Sequence, residues 1–243
     1  MNQPDQKPLF KISIPASAIE DVSCPTCQTQ FYPETFPPWA HRYCSEKCQK
    51  VERRLKDPIG YLKACHVPER YLNCSFENFD ADSNNQSAFK MLSEVKNITD
   101  TIYLSGTVGT GKTHLSVALA RNIRTSQIEK ANFQPATSVL LQLRAGFGKD
   151  SNISERDSLK CYQKNEVLII DDLGAEKLTD YVIQAWYSII DYRYSNMLPT
   201  VITSNLSVAE LAVRFGDRIA SRIASGNVLT LRGSDRRLEK WRK

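Results

Sequence analysis

Eight consecutive positions, Gly106-Thr107-Val108-Gly109-Thr110-Gly111-Lys112-Thr113, set glycines, a lysine and a hydroxyl in the order G-x-x-x-x-G-K-[ST]. A loop of this kind can turn its backbone N–H groups inward around phosphates at the start of a helix. Lys112 then supplies a cation for the β- and γ-phosphates of a nucleoside triphosphate, and Thr113 offers a hydroxyl to Mg²⁺. Further along the chain, Asp171 ends the apolar run Val167-Leu168-Ile169-Ile170. A carboxylate there can hold Mg²⁺ through water opposite the loop. Asp172 follows directly and can orient or activate an attacking water, so Asp171 reads as the metal carboxylate and Asp172 as the base.

A second set of residues has a different chemistry. Cys24 and Cys27, followed after a longer interval by Cys44 and Cys48, give C-x₂-C-x₁₆-C-x₃-C, close to the spacing that builds a tetrahedral Zn²⁺ site. Four thiolates leave no open position, so the site is expected to be structural. The seven cysteines are odd in number and no export signal precedes them, which favours metal over disulfides. Cys65, Cys74 and Cys161 read as small buried hydrophobes.

These residues need a frame. Thr101 to Ser105 is β-branched and aromatic, the glycine loop follows, and 113–123 has helical spacing, which is strand, loop, helix. The apolar runs 166–171 and 200–203, separated by a helical pattern over 183–193, predict βαβ units and a buried parallel sheet, an α/β fold. Ser83 is the expected cap of a helix carrying Ala88, Met91, Leu92 and Val95 on one face. A charged helix after Cys44 should stop at Asp57-Pro58. The expected organisation is an extended arm over 1–20 within a zinc-binding domain of 1–57, a connector over 58–82 packed on the next domain, and an ATPase domain over 83–243.

Composition narrows the classes. The 243 residues are 41% hydrophobic and 24% charged, an ordinary globular balance. The net charge of +5 equals that of segment 210–243, which holds nine Lys/Arg against four Asp/Glu. No apolar run long enough for a membrane span and no secretory start are present, so a soluble, cytoplasmic protein is expected.

With these residues in view, the chain resembles the AAA+ ATPases of the bacterial replicative helicase-loader group, the DnaC/DnaI type, and the related IstB-like transposition ATPases. The text that carries the resemblance is VPERYLNCSFENFD (67–80), SGTVGTGKTHLSVALA (105–120), LIIDDLGAE (168–176), DYRYSNMLPTVITSNLSVAEL (191–211) and FGDRIASRI (215–223). It implies an AAA+ P-loop fold whose lid is reduced, since segment 206–243 is too short for a full helical lid. It also implies that Asn205 is the sensor-1 residue, that Arg222, with Arg218 as rival, is an arginine finger acting on a neighbouring subunit, and that Arg236 is the sensor-2 arginine. Self-association then follows. In such proteins single-stranded DNA runs along the inner face of the ATPase spiral, a role matched by Phe147, Thr179 and Tyr181.

The resemblance leaves three functions open: an ATP-driven loader that places a replicative helicase on single-stranded DNA, a transposition helper that binds duplex DNA and a transposase, or a zinc adaptor whose ATP site is a switch. A zinc module ahead of the ATPase resembles the DnaI branch, where it engages the helicase. Zinc knuckles also bind nucleic acid.

Overall fold

The computed structural model describes residues 22–25, 28–31, 43, 45–95, 97–123, 131–145 and 154–239. The arm over 1–20, together with Cys27, Cys44 and Phe147, lies outside these residues. At the N-terminal end, β1 (Val22–Ser23) and β2 (Gln30–Phe31) form a two-stranded antiparallel ribbon. Helix α1 (Glu46–Lys56) follows, capped by Ser45, and ends at Asp57. Asp57 in turn caps α2 (Pro58–Ala64) by accepting from the Gly60 N–H at 2.9 Å, with proline at a first-turn position where its missing N–H costs nothing.

The body is a five-stranded parallel sheet. Its strands are β3 (Thr101–Gly106), β4 (Ala131–Pro135), β5 (Val167–Leu173), β6 (Thr200–Ser204) and β7 (Asn227–Leu231), arranged in space as β4-β5-β6-β3-β7. The helices are α3 (Gln86–Glu94), α4 (Lys112–Asn122), α5 (Ala136–Ala145), α6 (Glu155–Lys164), α7 (Asp180–Ser195), α8 (Val208–Phe215), α9 (Asp217–Ala224) and α10 (Arg236–Glu239). Alternation along the strands builds two cores. Ile102, Leu104, Val167, Ile169 and Val201 face one, and Tyr103, Leu168, Ile170 and Ile202 face the other. Strands covered on both faces read as unbroken apolar runs, which is what 167–170 is.

Segment 58–82 enters the first core through Leu62, Cys65, Val67, Leu72, Phe76 and Phe79. Its Cys65 carbonyl also accepts from the Phe133 N–H of edge strand β4 at 2.9 Å, covering part of an edge that would otherwise be open to pairing. The helix expected from Ser83 begins at Gln86 instead. Asp82 accepts from the Asn84 N–H, and Asn85 accepts from the Asp82 N–H, so local side-chain bonds hold 82–85 as a turn. Of the three remaining cysteines, Cys65 is buried, but Cys74 is half-buried and Cys161 is exposed. Cys161 sits on α6, whose buried residue is the neighbouring Tyr162.

One buried charge locks the far core. Arg193, only 1% exposed, donates to Thr200 Oγ1 and to the carbonyls of Tyr162, Gln163, Asn165 and Pro199. Five acceptors satisfy the guanidinium without a carboxylate, and burial pushes its pKa down to about 10. The fork thereby ties α6, α7 and β6 together beneath the second core.

Candidate active site

The phosphate loop leaves β3 and enters α4 at Gly111, whose φ of +99° lies in the left-handed region. A Cβ there would stand 2.6 Å from Cε2 of Phe79, so glycine is required by backbone and by packing. Lys112 opens α4 and is 8% exposed. Its Nζ donates to the Gly106 and Thr107 carbonyls and to Asn205 Oδ1, each at 2.8 Å.

Across the loop, the end of β5 is bulged against β6: Ile170 pairs with Ile202 and Leu173 with Ser204, so Asp171 and Asp172 together oppose Thr203. Bulges re-aim side chains at sites of this kind. Thr203 Oγ1 donates to Asp171 Oδ1 at 2.7 Å and accepts from the Asp172 N–H at 2.9 Å. Asp171 Oδ1 also accepts from Thr113 at 2.9 Å. The φ of +60° at Asp172 turns its side chain out of the sheet, where Oδ1 accepts from Asn205 Nδ2 at 3.1 Å. Asn205 therefore bridges Lys112 and Asp172. Thr203, which bonds the Asp171 carboxylate and the Asp172 backbone, is absent from the sequence-based set of site residues.

Burial sets the electrostatics. It pushes the Asp171 carboxyl up, against hydrogen bonds from Thr203 and Thr113 that pull it down, and the neighbouring Asp172 charge adds to the rise. Burial likewise lowers Lys112, partly offset by the charges of Asp172 and Asp171. His114, beside the loop, is lowered by burial and its ring centroid stands 5.2 Å from that of Phe79.

The loop and carboxylates line a cleft of about 770 Å³, within the roughly 300–1,000 Å³ of small-molecule sites. Nucleotide and Mg²⁺ fit its donor set. Lys112 is a buried cation whose hydrogen-bond partners are all neutral, an arrangement that favours an incoming anion. Thr113 and Asp171 converge as hydroxyl and carboxylate, the oxygen ligands Mg²⁺ takes.

Of the expected arginines, Arg236 lines the cleft and Arg222, on α9, does not. Arg222 pairs with Asp191 at 2.6 Å, and its guanidinium lies 5.2 Å from the Tyr187 ring and 5.8 Å from that of Tyr194. Arg218, one turn earlier, is exposed. Arg236 reaches the cleft wall, but its guanidinium is engaged: it pairs with Asp82 at 2.8 Å, donates to the Asp80 carbonyl and lies 5.0 Å from the Phe79 ring. Thr179 caps α7 by accepting from the Val182 N–H at 3.3 Å. Tyr181 packs partly buried on the second core, with its hydroxyl pushed up by burial and then by Glu155.

A phosphate loop, an Asp-Asp strand end, a strand-end Asn and this parallel sheet define an AAA+ P-loop ATPase, the fold class expected above. The IstB-like ATP binding protein family matches residues 38–225, and the chain belongs to that family. The chain is 30% identical over 171 residues to the replicative helicase loader DnaC of Buchnera aphidicola subsp. Schizaphis graminum, covering 68% of this chain and 69% of that protein. It is 26% identical over 162 residues to DnaC of Escherichia coli K12, 65% of each chain. Among solved structures, the DnaC helicase loader superimposes with a TM-score of 0.59 at 27% identity, covering 68% of this chain and 99% of that one, and DnaI with 0.56 at 25%, covering 70% and 94%. DnaA of Aquifex aeolicus shares the fold, with a TM-score of 0.57 at 19% identity over 72% of this chain and 57% of its own. No helix of the described residues is long and apolar enough to cross a membrane.

Proposed function

We propose that this ATPase loads a replicative helicase onto single-stranded DNA in the cytoplasm. The observation that carries the reading is the Lys112–Asn205–Asp172 chain of hydrogen bonds across the ends of β3, β5 and β6, on a chain similar to DnaC over most of its ATPase body. In the proposed mechanism the loop N–H groups and Lys112 hold the phosphates, with Thr113 and Asp171 holding Mg²⁺. Mg²⁺ held by these two residues would supply charge neutralisation at the phosphates. Asp172 takes the proton of the attacking water and Asn205 orients that water. Arg222 of a second copy supplies the finger. Phe147, Thr179 and Tyr181 are the proposed DNA contacts. With the Thr179 oxygen engaged in its cap, stacking by the aromatics is the larger contribution.

Segment 1–57 is proposed to hold Zn²⁺ through Cys24, Cys27, Cys44 and Cys48 and to recognise the helicase. Support comes from the described half of the set. Cys24 and Cys48 are buried, the Cys24 carbonyl accepts from the Gln28 N–H at 2.8 Å, and Cys48 lies in the first turn of α1. The expected result is one Zn²⁺ per chain by metal analysis, with chelation unfolding 1–57 while ATP binding persists, because so small a segment cannot fold on its core alone.

The test of function is a transfer assay with the full chain, ATP, Mg²⁺, the ring helicase of the same organism and circular single-stranded DNA. Helicase should appear on the circles only when the protein is present, and deletion of 1–57 should abolish capture. The IstB-like family match favours a second reading, a transposition helper. Preference for duplex DNA at equal salt, without helicase capture, would select it.

A further inference from the structure

The turn that follows β5 carries Asp172 in a backbone that its residue type disfavours. Asp172 has φ +60°, and Gly174, two positions on, has φ +94°. Left-handed backbone is sterically unfavourable for a residue with a Cβ, so bonds from the surroundings must hold Asp172 in it.

Those bonds close a short turn. The Asp172 carbonyl accepts from the Ala175 N–H at 3.3 Å, and the Leu173 carbonyl accepts from Ser204 Oγ at 2.6 Å. On the β6 side, Thr203 takes the Asp172 N–H. A Cβ on Gly174 would stand 2.7 Å from Cδ1 of Leu206, so the turn also packs on the segment that carries Asn205. The Gly174 N–H is taken by a side chain: it donates to Glu176 Oε2 at 2.9 Å.

Glu176 is itself anchored. It is 8% exposed, and its other oxygen, Oε1, accepts from Trp186 Nε1 at 2.7 Å. Trp186 is fully buried in the second core, midway along α7, so its N–H is a fixed donor. A neutral carbonyl would satisfy that indole alone. A carboxylate satisfies two buried donors at once, one from the core and one from the turn, with the stronger bonds that a charged acceptor makes. The Gly174 bond lies two residues from Asp172, whose carboxylate lines the cleft and accepts from Asn205.

We propose that Glu176 is a positioning residue for hydrolysis: anchored on Trp186, it holds the turn over 172–175 in the form that aims the Asp172 carboxylate at Asn205 and the cleft. The proposal rests on the reading of Asp172 as the base. Glu176 touches neither nucleotide nor water and acts through the backbone of the turn.

The test uses the full chain with ATP and Mg²⁺, measuring kcat, KM, ATP affinity and Tm. Glu176→Ala should lower kcat about ten- to hundredfold, the weight of a misplaced catalytic group, at unchanged ATP affinity. Trp186→Phe removes the N–H and keeps a ring in the core, and should lower kcat less. Glu176→Gln keeps one carbonyl acceptor and should recover part of the loss. In an Asp172→Asn background these changes should produce no further loss, because residues that act as a unit are not additive. A glutamate that served stability alone would add its loss to that of Asp172. Should Glu176→Ala not fold, Glu176→Gln and Trp186→Phe carry the same comparison. Parent-like kcat in every folded variant, loss of ATP affinity in step with kcat, or further loss in the Asp172→Asn background would overturn the proposal. Asp172→Asn alone is the control: if it hydrolyses ATP like the parent protein, the reading of Asp172 has failed, which is separable from a failure of Glu176.

Discussion

The nucleotide cleft and the arginines proposed to act on it differ in whom their side chains serve. On the loop-and-sheet half, every functional group is engaged by another of the same half: Lys112 with Asn205, Asn205 with Asp172, and Thr113 and Thr203 with Asp171. On the arginine half, Arg222 is engaged by Asp191 and two tyrosines, and Arg236 by Asp82, Asp80 and Phe79. The first half is assembled by the sheet of a single chain, because the ends of β3, β5 and β6 are neighbours. Arg222 does not line the cleft of its own chain, so in the proposed mechanism it reaches phosphate from a second copy.

The strongest way to break this comparison lies in the assembled half. Asp172→Asn should bind ATP as before while turnover falls about 10²–10⁴-fold, the range of a lost general base. Unchanged hydrolysis in that variant would remove Asp172 from the role. Lys112→Ala is expected to weaken ATP by roughly 30- to 150-fold, since a buried charge-assisted contact is worth roughly 2–3 kcal/mol. Calorimetry checks it.

A smaller effect sharpens the arginine half. Asp191→Asn removes the charged partner of Arg222, whose side chain is 25% exposed. A part-exposed ion pair is worth up to about 1 kcal/mol, so turnover in the assembled species should rise by a factor of up to about five. A fall in turnover at unchanged Tm would show that Asp191 presents Arg222 rather than holding it back.

The smallest effect is in pH. Because burial raises Asp171, followed by the charge of Asp172, its carboxylate begins to protonate above the ordinary Asp range as pH falls. The ionised form is the costly one in the folded chain, so this cost is present above the raised pKa and relieved as pH drops through it. Mg²⁺ needs the ionised form, so Mg²⁺ affinity should decline on mild acidification earlier than for an unshifted carboxylate. Mg²⁺ titration of nucleotide-loaded protein over falling pH measures it.

How much could be read from the chain follows the same division. Lys112, Thr113 and Asp171 were legible because their chemistry depends on residue type at fixed spacing along strand and helix, and β3, β5 and β6 were legible as apolar runs. Thr203 was not, since a threonine in a strand is ordinary until β6 is known to lie beside the bulge of β5. Strand β4 hid behind Asn132, Gln134 and Pro135. The two polar side chains bond each other at 2.9 Å, and Pro135 sits where β4 ends at the sheet edge, the place a strand tolerates proline. Arg193 looks in sequence like the solvated end of a helix, and only the carbonyls gathered around it make it a core residue. Arg236 reads in sequence as one more charge of a basic tail, and its partners Asp82 and Phe79 lie far away in the chain, in the connector ahead of the phosphate loop.

The central claim is that one copy supplies the loop and carboxylates and another the arginine. Mixing two inactive variants tests it most directly. Arg222→Ala keeps a complete loop-and-sheet half without a finger, and Asp172→Asn keeps the finger without a base. Each alone should be at least about a hundredfold slower than the parent protein. Combined with helicase and DNA present, they should regain hydrolysis well above the sum of the two, in proportion to the mixed contacts formed. Activity that stays at that sum at every mixing ratio, while both variants still bind ATP and enter the same assembly, would contradict the account.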